Sequence, residues 1–276
     1  MPELPEVETI ANHLRPALAG RTITAARLLW PRTLETPPPS QFQTRSFKRR
    51  IIGQMIRDVG RRGKFVILQL STDTLLIHLR MSGDLLVEPD HAPLAKHHRL
   101  TLSLEDGNRL AFHDPRKFGR AWLVKDPEAV VGSLGPEPLD KTFTAEVLYR
   151  GLQASHRQLK PLLLDQTFLA GLGNIYADES LHRAGLHPLT LSNTVTAVQA
   201  KALWRGIRAA LREGLRCNGA SIDWVYRGGE FQNHFRAYQR TGQPCPTCGT
   251  PIVRIVVGQR STHLCPTCQP SIQTSS

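Results

Sequence analysis

The chain has 276 residues, enough for about two or three domains with buried cores, and this length excludes a single small module. Its 35 Lys and Arg residues against 23 Asp and Glu residues give a formal net charge of +12, which favours a polyanionic partner. Nucleic acid is the first candidate for this partner, and an anionic membrane surface is the second. No apolar run approaches the roughly 20 residues of a membrane-spanning helix, and the opening MPELPEVET is acidic where a signal peptide is basic. We therefore expect a cytoplasmic protein that does not associate with a membrane.

The first predicted element is an amphipathic helix near the start of the chain. Apolar residues recur at helical spacing, at Val7, Ile10, Ala11, Leu14 and Leu18. Pro16 interrupts this pattern, and Gly20 is typical of a residue that follows the last helical turn. The pattern predicts one helix that buries a single face.

Short alternating runs replace the helical pattern between about residues 22 and 125. They include Lys64–Leu70, Thr74–Leu79, Arg99–Leu104 and Arg109–Phe112. The segment Glu105–Asn108 contains Asp-Gly, which tolerates the positive φ of a tight turn and predicts a hairpin. This half of the chain is therefore expected to form a β-sandwich or a barrel.

The composition changes at Gly132–Pro138, a Gly- and Pro-rich segment that predicts a linker. A helical pattern follows from about residue 142 to 217, where Thr196 and Gln199 form a capping-box pattern. An apolar stripe then runs through Leu203, Ile207, Ala210, Leu211 and Leu215. The opposite face is more typical of a solvated surface than of DNA contact, and it carries Arg205, Arg208, Arg212 and Arg216. We divide the chain into domains at 1–131, 140–235 and 236–270.

The cysteines provide the most specific signal that the residues give on their own. Cys217 stands alone, whereas two CxxC pairs lie near the end of the chain, at Cys245, Cys248, Cys265 and Cys268. Their spacing suits one tetrahedral zinc site, and metal is favoured over disulfides in a reducing cytosol. Four thiolates complete the coordination shell, so we expect one structural Zn²⁺ and expect His263 to be a surface residue.

The segment between the two cysteine pairs predicts a hairpin that is too small to fold without the metal. Two β-branched runs flank Gly258 and Gln259, and Arg260 lies at the predicted tip. Arg260 is either an ordinary exposed arginine or a fork for a phosphate group.

The start of the chain offers a candidate nucleophile. Met1 precedes a small residue and would normally be removed, which leaves Pro2 as a free secondary amine. An α-amino group has a pKa of about 7.7 to 8.0, far below that of lysine, so an appreciable fraction can attack a carbonyl-like carbon at neutral pH. Glu3 and Glu6 either relay protons or complement the helix dipole. From these residues alone the structural interpretation is the stronger one.

Several motifs in order along the chain change this balance. They are MPELPEVET, RRGKF, HLRMSGDL, DPRKFG, LGPEPL, GLGNIYADE and the CPTCG to CPTC pair. Together they cover essentially the whole chain, and they resemble the formamidopyrimidine-DNA glycosylase family. The resemblance implies an α+β multidomain fold. Its parts are an N-terminal β-sandwich with a terminal helix, a helix-two-turn-helix domain and a C-terminal zinc-finger β-hairpin, with DNA in the cleft.

The resemblance also implies a bifunctional DNA glycosylase/AP lyase of base excision repair that acts on damaged double-stranded DNA, and we expect a monomer. Pro2 is then the nucleophile at C1′ of the damaged nucleotide, and Glu3 assists ring opening and later proton transfers. The base leaves first, and β-elimination and δ-elimination then leave a gap with phosphates at both ends. Lys64 matches an active-site lysine that holds a phosphate and orients the sugar.

The remaining site residues are also implied by the resemblance. Asn174 and Arg260 match residues that bind the phosphates beside the lesion, and Arg260 is counted with the catalytic set. Lys160 matches a further active-site lysine, and His97 is expected to contact DNA. A flipped-out base leaves a void in the duplex. In the family, three residues enter this void, and one of them is an arginine that reads the orphaned cytosine. The matching residues here are Met81, Arg116 and Phe118.

Two features depart from the family pattern. Lys117 stands where many members have arginine, which keeps the charge. Residues 221–235 are shorter than the loop that closes over 8-oxoguanine in many members, so ring-opened formamidopyrimidines are ranked at least equal to 8-oxoguanine as substrates. The candidates for recognition of the extruded base are Tyr226, Arg227 and Phe231.

Two rival interpretations account for part of this pattern. The sister endonuclease VIII group shares the fold but prefers oxidised pyrimidines, and the full MPELPEVET opening with the Arg116 and Phe118 pair argues against it. A noncatalytic zinc-ribbon regulator has the same charge and zinc signals. The combination of Pro2, Glu3 and Lys64 argues against a regulator, because a pure DNA-binding protein has no need of it.

Overall fold

The computed structural model describes residues 1–35, 44–221 and 228–271. The chain forms two compact units. The first consists of residues 1–133 with residues 221, 228 and 229, and the second of residues 134–220 and 230–271. Within these described ranges, no helix combines the length and the apolar character that a membrane crossing needs.

The first unit contains two four-stranded sheets whose paired strands are all antiparallel. One sheet has the order β1 (Ile23–Leu28), β6 (His98–Leu104), β7 (Asn108–His113) and β5 (Asp84–Pro89). The other has the order β2 (Ile56–Arg62), β3 (Phe65–Leu70), β4 (Thr74–His78) and β8 (Arg120–Val124). Both sheets contribute to one buried apolar cluster, so the predicted β-sandwich is confirmed.

Helix α1 (Leu4–Leu18) is the predicted terminal helix, and it packs against β2 and β3. Its apolar stripe is buried in the same cluster as the sheets. Pro5 lies in the first turn, where a missing N–H costs nothing, and Pro16 lies in the last turn. Gly20 adopts a φ of 83°, which allows the chain to turn into β1.

Four strands, β3, β4, β6 and β7, start and end within one residue of the four predicted runs. The loops that connect the strands of this unit carry the functional candidates. The predicted hairpin joins β6 to β7, with Gly107 at a φ of 83°. Two further helices, α2 (Thr44–Ile51) and α3 (Glu128–Val131), and a 3₁₀ turn at Pro31–Thr33 complete the unit. The loops that matter below are residues 79–83, 95–97 and 114–119.

The second unit begins with four helices and confirms the predicted helical half. They are α4 (Ala145–Gln153), α5 (Leu159–Leu164), α6 (Asn174–Ala184) and α7 (Ala197–Arg216). The predicted capping box is present, because the Thr196 side chain accepts from the Gln199 backbone and the Gln199 side chain accepts from the Thr196 backbone. Arg208 donates to the carbonyls of Pro138 and Asp140 and so joins α7 to the predicted linker.

The unit ends with the predicted hairpin of β9 (Val253–Val257) and β10 (Arg260–Leu264). Gly258 and Gln259 form its two-residue turn with φ values of 54° and 61°, as a type I′ turn requires. Arg260 is therefore the first residue of β10, directly after the turn, and its side chain is exposed.

Candidate active site and metal centre

The candidate nucleophile lies at the start of α1. Pro2 and Glu3 are both buried, and Glu3 is the N-cap residue of the helix. The Glu3 backbone N–H donates to Glu6 Oε2 over 2.8 Å as part of a reciprocal capping box. This bond assigns the Glu6 carboxylate to capping. Met1 is exposed at the surface of the unit.

Lys64 is the second residue of the two-residue turn between β2 and β3, beside α1. Gly63 makes this turn possible with a φ of 55°. Arg61 donates to Glu8 Oε2 of α1 over 2.8 Å and to the Gly63 carbonyl over 2.9 Å, so it joins the first half of the helix to the turn. Lys64 is only 5% exposed, so its ammonium group is held within the unit rather than extended into solvent.

The neighbouring His78 adds to the electrostatic character of this region. The pKa of His78 is lowered to about 3, chiefly by burial and then by the charges of Arg80 and Lys64. Its neutral Nδ1 accepts a hydrogen bond from the Arg80 backbone over 3.0 Å. At neutral pH the local positive charge therefore comes from Lys64 and Arg80, which suits a phosphate ligand.

The three residues expected to fill a void in DNA lie on two loops of the first unit. Met81 is half-buried in the turn between β4 and β5, whereas Arg116 and Phe118 are exposed on the loop between β7 and β8. Phe118 is 48% exposed, and the Arg116 guanidinium carbon lies 5.1 Å from the centre of its ring. These are apolar and cationic groups that a folded core does not use.

His97 is half-buried on a third loop, next to the loop that carries Arg116. Its backbone carbonyl accepts from the Asp114 N–H over 2.9 Å, and its ring Nδ1 lies 3.3 Å from Arg99 Nη2. Lys117, which departs from the family pattern, adopts a φ of 62° and places its ammonium 4.3 Å from the centre of the Trp30 ring.

In the second unit, the candidate Lys160 belongs to a buried polar network. Its side chain is fully buried, and Nζ donates to Asp178 Oδ1 over 2.5 Å and to the Ser261 carbonyl over 2.9 Å. Asp178 Oδ2 accepts from the His263 backbone over 2.9 Å. The His263 ring is 6% exposed and lies against Asp178, so the expectation that His263 is a surface residue is wrong. Helix α6 covers it.

Asn174 connects this network to a helix terminus. It is the first residue of α6, after Gly173 at the N-cap, and its Nδ2 donates to the Ser261 carbonyl over 3.0 Å. Its Oδ1 is buried with no hydrogen-bond partner among the described residues. The N-terminal end of an eleven-residue helix attracts anions through its free N–H groups and dipole. Asn174 therefore lies where a phosphate group can bind.

The four cysteines expected to bind zinc come together. Their sulfur atoms all lie within 4.8 Å of one another. The Cys245–Cys268 and Cys248–Cys265 sulfur distances are 3.9 Å and 3.4 Å, close to the about 3.8 Å edge of a tetrahedron of zinc–sulfur bonds. The donor set fits Zn²⁺, and four thiolates complete its shell. The expected structural zinc site is confirmed, and Cys217 lies outside the cluster.

Helix α6 also supplies groups that the sequence analysis missed. His182 Nε2 lies 3.3 Å from the Cys245 sulfur, and the pKa of His182 is lowered to about 4, chiefly by burial, so its imidazole is neutral at pH 7 and Nε2 lies within hydrogen-bond distance of the sulfur. Glu179 is fully buried and accepts from the backbone of Arg236, Ala237 and Tyr238. The available signal in the sequence was that His182 and Glu179, two positions of α6, are polar. This signal is weak, because a polar residue in a helix can also form its hydrogen bonds within that helix.

One of the three candidates for recognition of an extruded base lies within the described residues. Tyr226 and Arg227 lie outside the described residues. Phe231 is fully buried, with its ring stacked on Tyr176 at 5.1 Å between centres and its edge facing Phe235. Phe231 is therefore a core residue, and its burial argues against it as a candidate for base recognition.

Three family models match the chain in order. Residues 1–121 match the formamidopyrimidine-DNA glycosylase N-terminal domain, and residues 134–225 match the H2TH domain of the same family. Residues 242–270 match the zinc finger found in FPG and IleRS.

Relatives of similar length agree with these matches. A formamidopyrimidine-DNA glycosylase of Roseiflexus sp. (strain RS-1) is 48% identical over 98% of this chain and 100% of its own length. One from Chloroflexus aggregans is 48% identical over 99% of this chain and 100% of its own length. Two solved structures are each 34% identical, cover 98% of this chain and 100% of their own, and have a TM-score of 0.90. They are MutM with DNA that contains carbocyclic 8-oxo-G, and the Lactococcus lactis Fpg with DNA that contains Fapy-dG. The chain therefore belongs to the formamidopyrimidine-DNA glycosylase family.

Proposed function

We propose that this protein is a bifunctional DNA glycosylase/AP lyase that excises oxidised purines through a Schiff base on Pro2. The observation that carries the proposal is the joint burial of Pro2 and Glu3 at the start of α1, beside the turn that holds Lys64. Membership of the family supports the reaction class, and the relatives bound to DNA with 8-oxo-G and Fapy-dG support the substrate class.

Pro2 acts once Met1 has been removed, and the exposure of Met1 supports this removal. The secondary amine then attacks C1′ of the damaged nucleotide, a carbon–nitrogen bond forms, and the glycosidic bond breaks with its electron pair on the base. Glu3 is close enough in sequence to serve this carbon, and it donates a proton to the sugar ring oxygen as the ring opens.

The resulting iminium prepares the strand for cleavage. Its positive nitrogen acidifies the C2′ proton, and loss of this proton expels the 3′ phosphate by β-elimination. A second elimination expels the 5′ phosphate. Each expelled phosphate leaves with the electron pair of its bond to carbon. We assign these proton transfers to Glu3 because it is adjacent to Pro2 in the chain, although the carboxylates of Glu3 and Glu6 both accept hydrogen bonds in the capping box.

Cationic and polar groups hold the phosphates. Lys64 supplies a restrained charge in the first unit, and Asn174 and Arg260 supply a helix N-terminus and an exposed guanidinium in the second. The same proposal assigns DNA contacts to His97 and Lys160. The formal charge of +12 supports binding that depends on phosphate contacts.

Met81, Arg116 and Phe118 are proposed to enter the duplex when the damaged nucleotide is extruded. The exposure of Phe118 and Arg116 supports this role, because a large apolar side chain that is half-exposed on a surface loop contributes little to the core. Arg116 reads the orphaned cytosine by hydrogen bonds. The proposal also includes a monomer in the cytoplasm that is associated with the nucleoid through DNA, and formamidopyrimidines as substrates at least equal to 8-oxoguanine.

Borohydride trapping tests the proposal. Incubation with duplex that contains 8-oxoguanine or a formamidopyrimidine opposite cytosine should give a covalent adduct that peptide mapping places on Pro2. One extra residue before Pro2 should abolish the adduct, because the amine becomes an amide. Pro2→Gly should retain weaker trapping through a primary amine. A crosslink that maps to Lys64 or Lys160 would show that Pro2 is not the nucleophile.

The role of Glu3 is tested separately. Glu3→Gln keeps an acceptor for the helix cap but loses the acid, so excision of an intact base should fall far more than cleavage at a preformed abasic site. Glu105→Gln, an exposed acid on the β6–β7 turn, is the matched control and should retain both activities. Equal losses of both activities in Glu3→Gln would contradict the assignment.

A further inference from the structure

Asp114 is a buried carboxylate that the proposed chemistry does not use. It is 1% exposed and lies between β7 and the loop that carries Arg116 and Phe118. A buried carboxylate needs several donors to remain charged in an apolar interior. Its hydrogen-bond donors belong to the two loops that carry the residues proposed to enter the duplex.

The contacts of Asp114 join these two loops. Ser82, next to Met81, donates its hydroxyl to Asp114 Oδ1 over 2.5 Å. The Arg116 backbone N–H donates to the same oxygen over 3.2 Å and to Ser82 Oγ over 3.3 Å. The Gly119 N–H donates to Asp114 Oδ2 over 2.7 Å. One carboxylate therefore determines where the turn of Met81 and the loop of Arg116 lie relative to each other.

Two arginines hold the same loop through its carbonyl groups. Arg99 donates to the Asp114 carbonyl over 2.7 Å. Arg120 donates from one nitrogen to the carbonyls of Lys117, Phe118 and Gly119 over 3.1 Å, 3.0 Å and 2.9 Å. Space also restricts the loop, because a Cβ at Gly119 would lie 2.3 Å from the Phe112 ring. The backbone has little freedom although its side chains are exposed.

We propose that Asp114 is a positioning residue which, through Ser82, sets Met81, Arg116 and Phe118 in one arrangement and so determines how well the base opposite the lesion is discriminated. This inference rests on the proposed function for the DNA roles of these three residues. Exclusion of water from a void tolerates small displacements, whereas hydrogen bonds from Arg116 to a base edge depend on distance and angle. Loss of the hydrogen bond between Ser82 and Asp114 should therefore affect discrimination of the opposite base more than the chemistry at C1′.

Ser82→Ala is the test variant, and Ser103→Ala is its matched control. Ser103 is also a buried serine of the first unit that donates to an aspartate, Asp90, over 2.9 Å, but it lies on β6 and touches neither loop. Single-turnover excision is measured opposite cytosine and opposite adenine, together with cleavage at a preformed abasic site. Ser82→Ala should lower the cytosine-to-adenine ratio of rates by about tenfold, the size of effect expected for a lost hydrogen bond to a charged group. Abasic-site cleavage should change by less than about threefold.

Ser103→Ala should lose similar thermal stability and keep the wild-type ratio, so general destabilisation cannot produce the expected result. Equal ratios in wild-type protein and Ser82→Ala would overturn the inference.

Hydrogen–deuterium exchange of the free protein separates this inference from the proposed function, because it needs no substrate. In Asp114→Asn, peptides covering residues 79–83 and 114–119 should both exchange faster, and in Ser103→Ala neither should. Faster exchange in only one loop would overturn the joint role of Asp114. Absence of any excision by wild-type protein would instead overturn the proposed function, and the exchange result would still decide whether Asp114 joins the loops.

Discussion

Two regions that we propose to bind DNA hold their side chains in opposite ways. One is the loop of Arg116 and Phe118 in the first unit, and the other is the network of Lys160 and Asn174 in the second. In the first unit, Arg116 and Phe118 are exposed side chains on a loop whose backbone is fixed by hydrogen bonds to Asp114 and Arg120. In the second unit, the polar ends of Lys160 and Asn174 both donate to the Ser261 carbonyl and are themselves held in place. The loop of the first unit has a fixed backbone and exposed side chains, whereas the network of the second unit fixes the side chains themselves.

This difference follows the task that each unit is proposed to perform. A side chain that enters a base stack must move into a space that exists only after the damaged nucleotide is extruded. An exposed side chain on a fixed backbone suits this task. A group that binds a phosphate loses less entropy on binding when it is already oriented. The two arrangements therefore predict different responses to substitution.

Removal of the zinc ligands should have the largest effect and should be confined to the second unit. Cys245→Ser with Cys265→Ser should reduce zinc content from one ion per chain to none, because two thiolates cannot hold the metal. Structural zinc stabilises small fingers by about 10–16 kcal/mol, so the β9–β10 hairpin should lose its protection from hydrogen exchange. Metal analysis and exchange mass spectrometry measure both results.

Cys217→Ser is the control for this experiment, because Cys217 lies outside the metal cluster. It should keep one zinc ion. Protection of the first unit should be unchanged in all of these variants. Full zinc retention by the double variant, or loss of protection in the β-sandwich, would contradict the assignment of the zinc to the second unit.

Loss of the Asp178 carboxylate should have the next largest effect. Asp178→Ala leaves the fully buried Lys160 ammonium without its ion-pair partner and removes the acceptor for the His263 backbone. Unpaired buried charges cost about 3–5 kcal/mol, so the free energy of unfolding in urea should fall by this amount. Glu146→Ala, which removes the exposed partner of Arg150, should change it by less than about 1 kcal/mol. Similar losses in the two variants would mean that Lys160 is not held by Asp178.

A pair of phenylalanines compares the two units directly. Phe231→Ala removes a fully buried, stacked ring from the second unit and should destabilise the protein by about 3–5 kcal/mol. Phe118→Ala removes a half-exposed ring from the first unit and should change the free energy of unfolding by less than about 0.5 kcal/mol. Base excision should show the reverse order when it is measured below the unfolding transition. A strongly destabilised Phe118→Ala protein would show that this ring serves the fold.

The sequence predicted those features whose signals are local. Helix α1, the Gly258–Gln259 turn and the four-cysteine site each depend on residues within a short segment, and each is present as expected. The positions of Pro2 and Lys64 were found through motif resemblance, and their catalytic roles stay predictions.

Long-range polar contacts were beyond the reach of the sequence. Asp178 and His263 are 85 residues apart, and neither residue type indicates that the other will be its partner. The four cysteines complete the zinc shell without His263 and so predict a surface residue, but the spacing of the cysteines does not show that α6 packs against β10. Ser82 and Asp114 are 32 residues apart, so the motif around Phe118 was visible while the bond that supports it was not.

The last effect that we predict concerns pH and the first unit. The pKa of His78 is lowered to about 3 from 6.5, chiefly by burial and then by Arg80 and Lys64. The unfolded chain therefore binds a proton at His78 below pH 6.5 that the folded protein does not bind until about pH 3. The contribution of neutral His78 is fully present above this window and is lost as the pH falls through it, by up to about 1.4 kcal/mol per pH unit. His78→Asn cannot titrate, so its free energy of unfolding should fall less steeply with decreasing pH than that of wild-type protein when both are measured in urea. Parallel slopes would show that His78 has the same pKa in the folded and unfolded states, and its imidazolium would then add to the charges of Lys64 and Arg80 as the pH falls below 6.5.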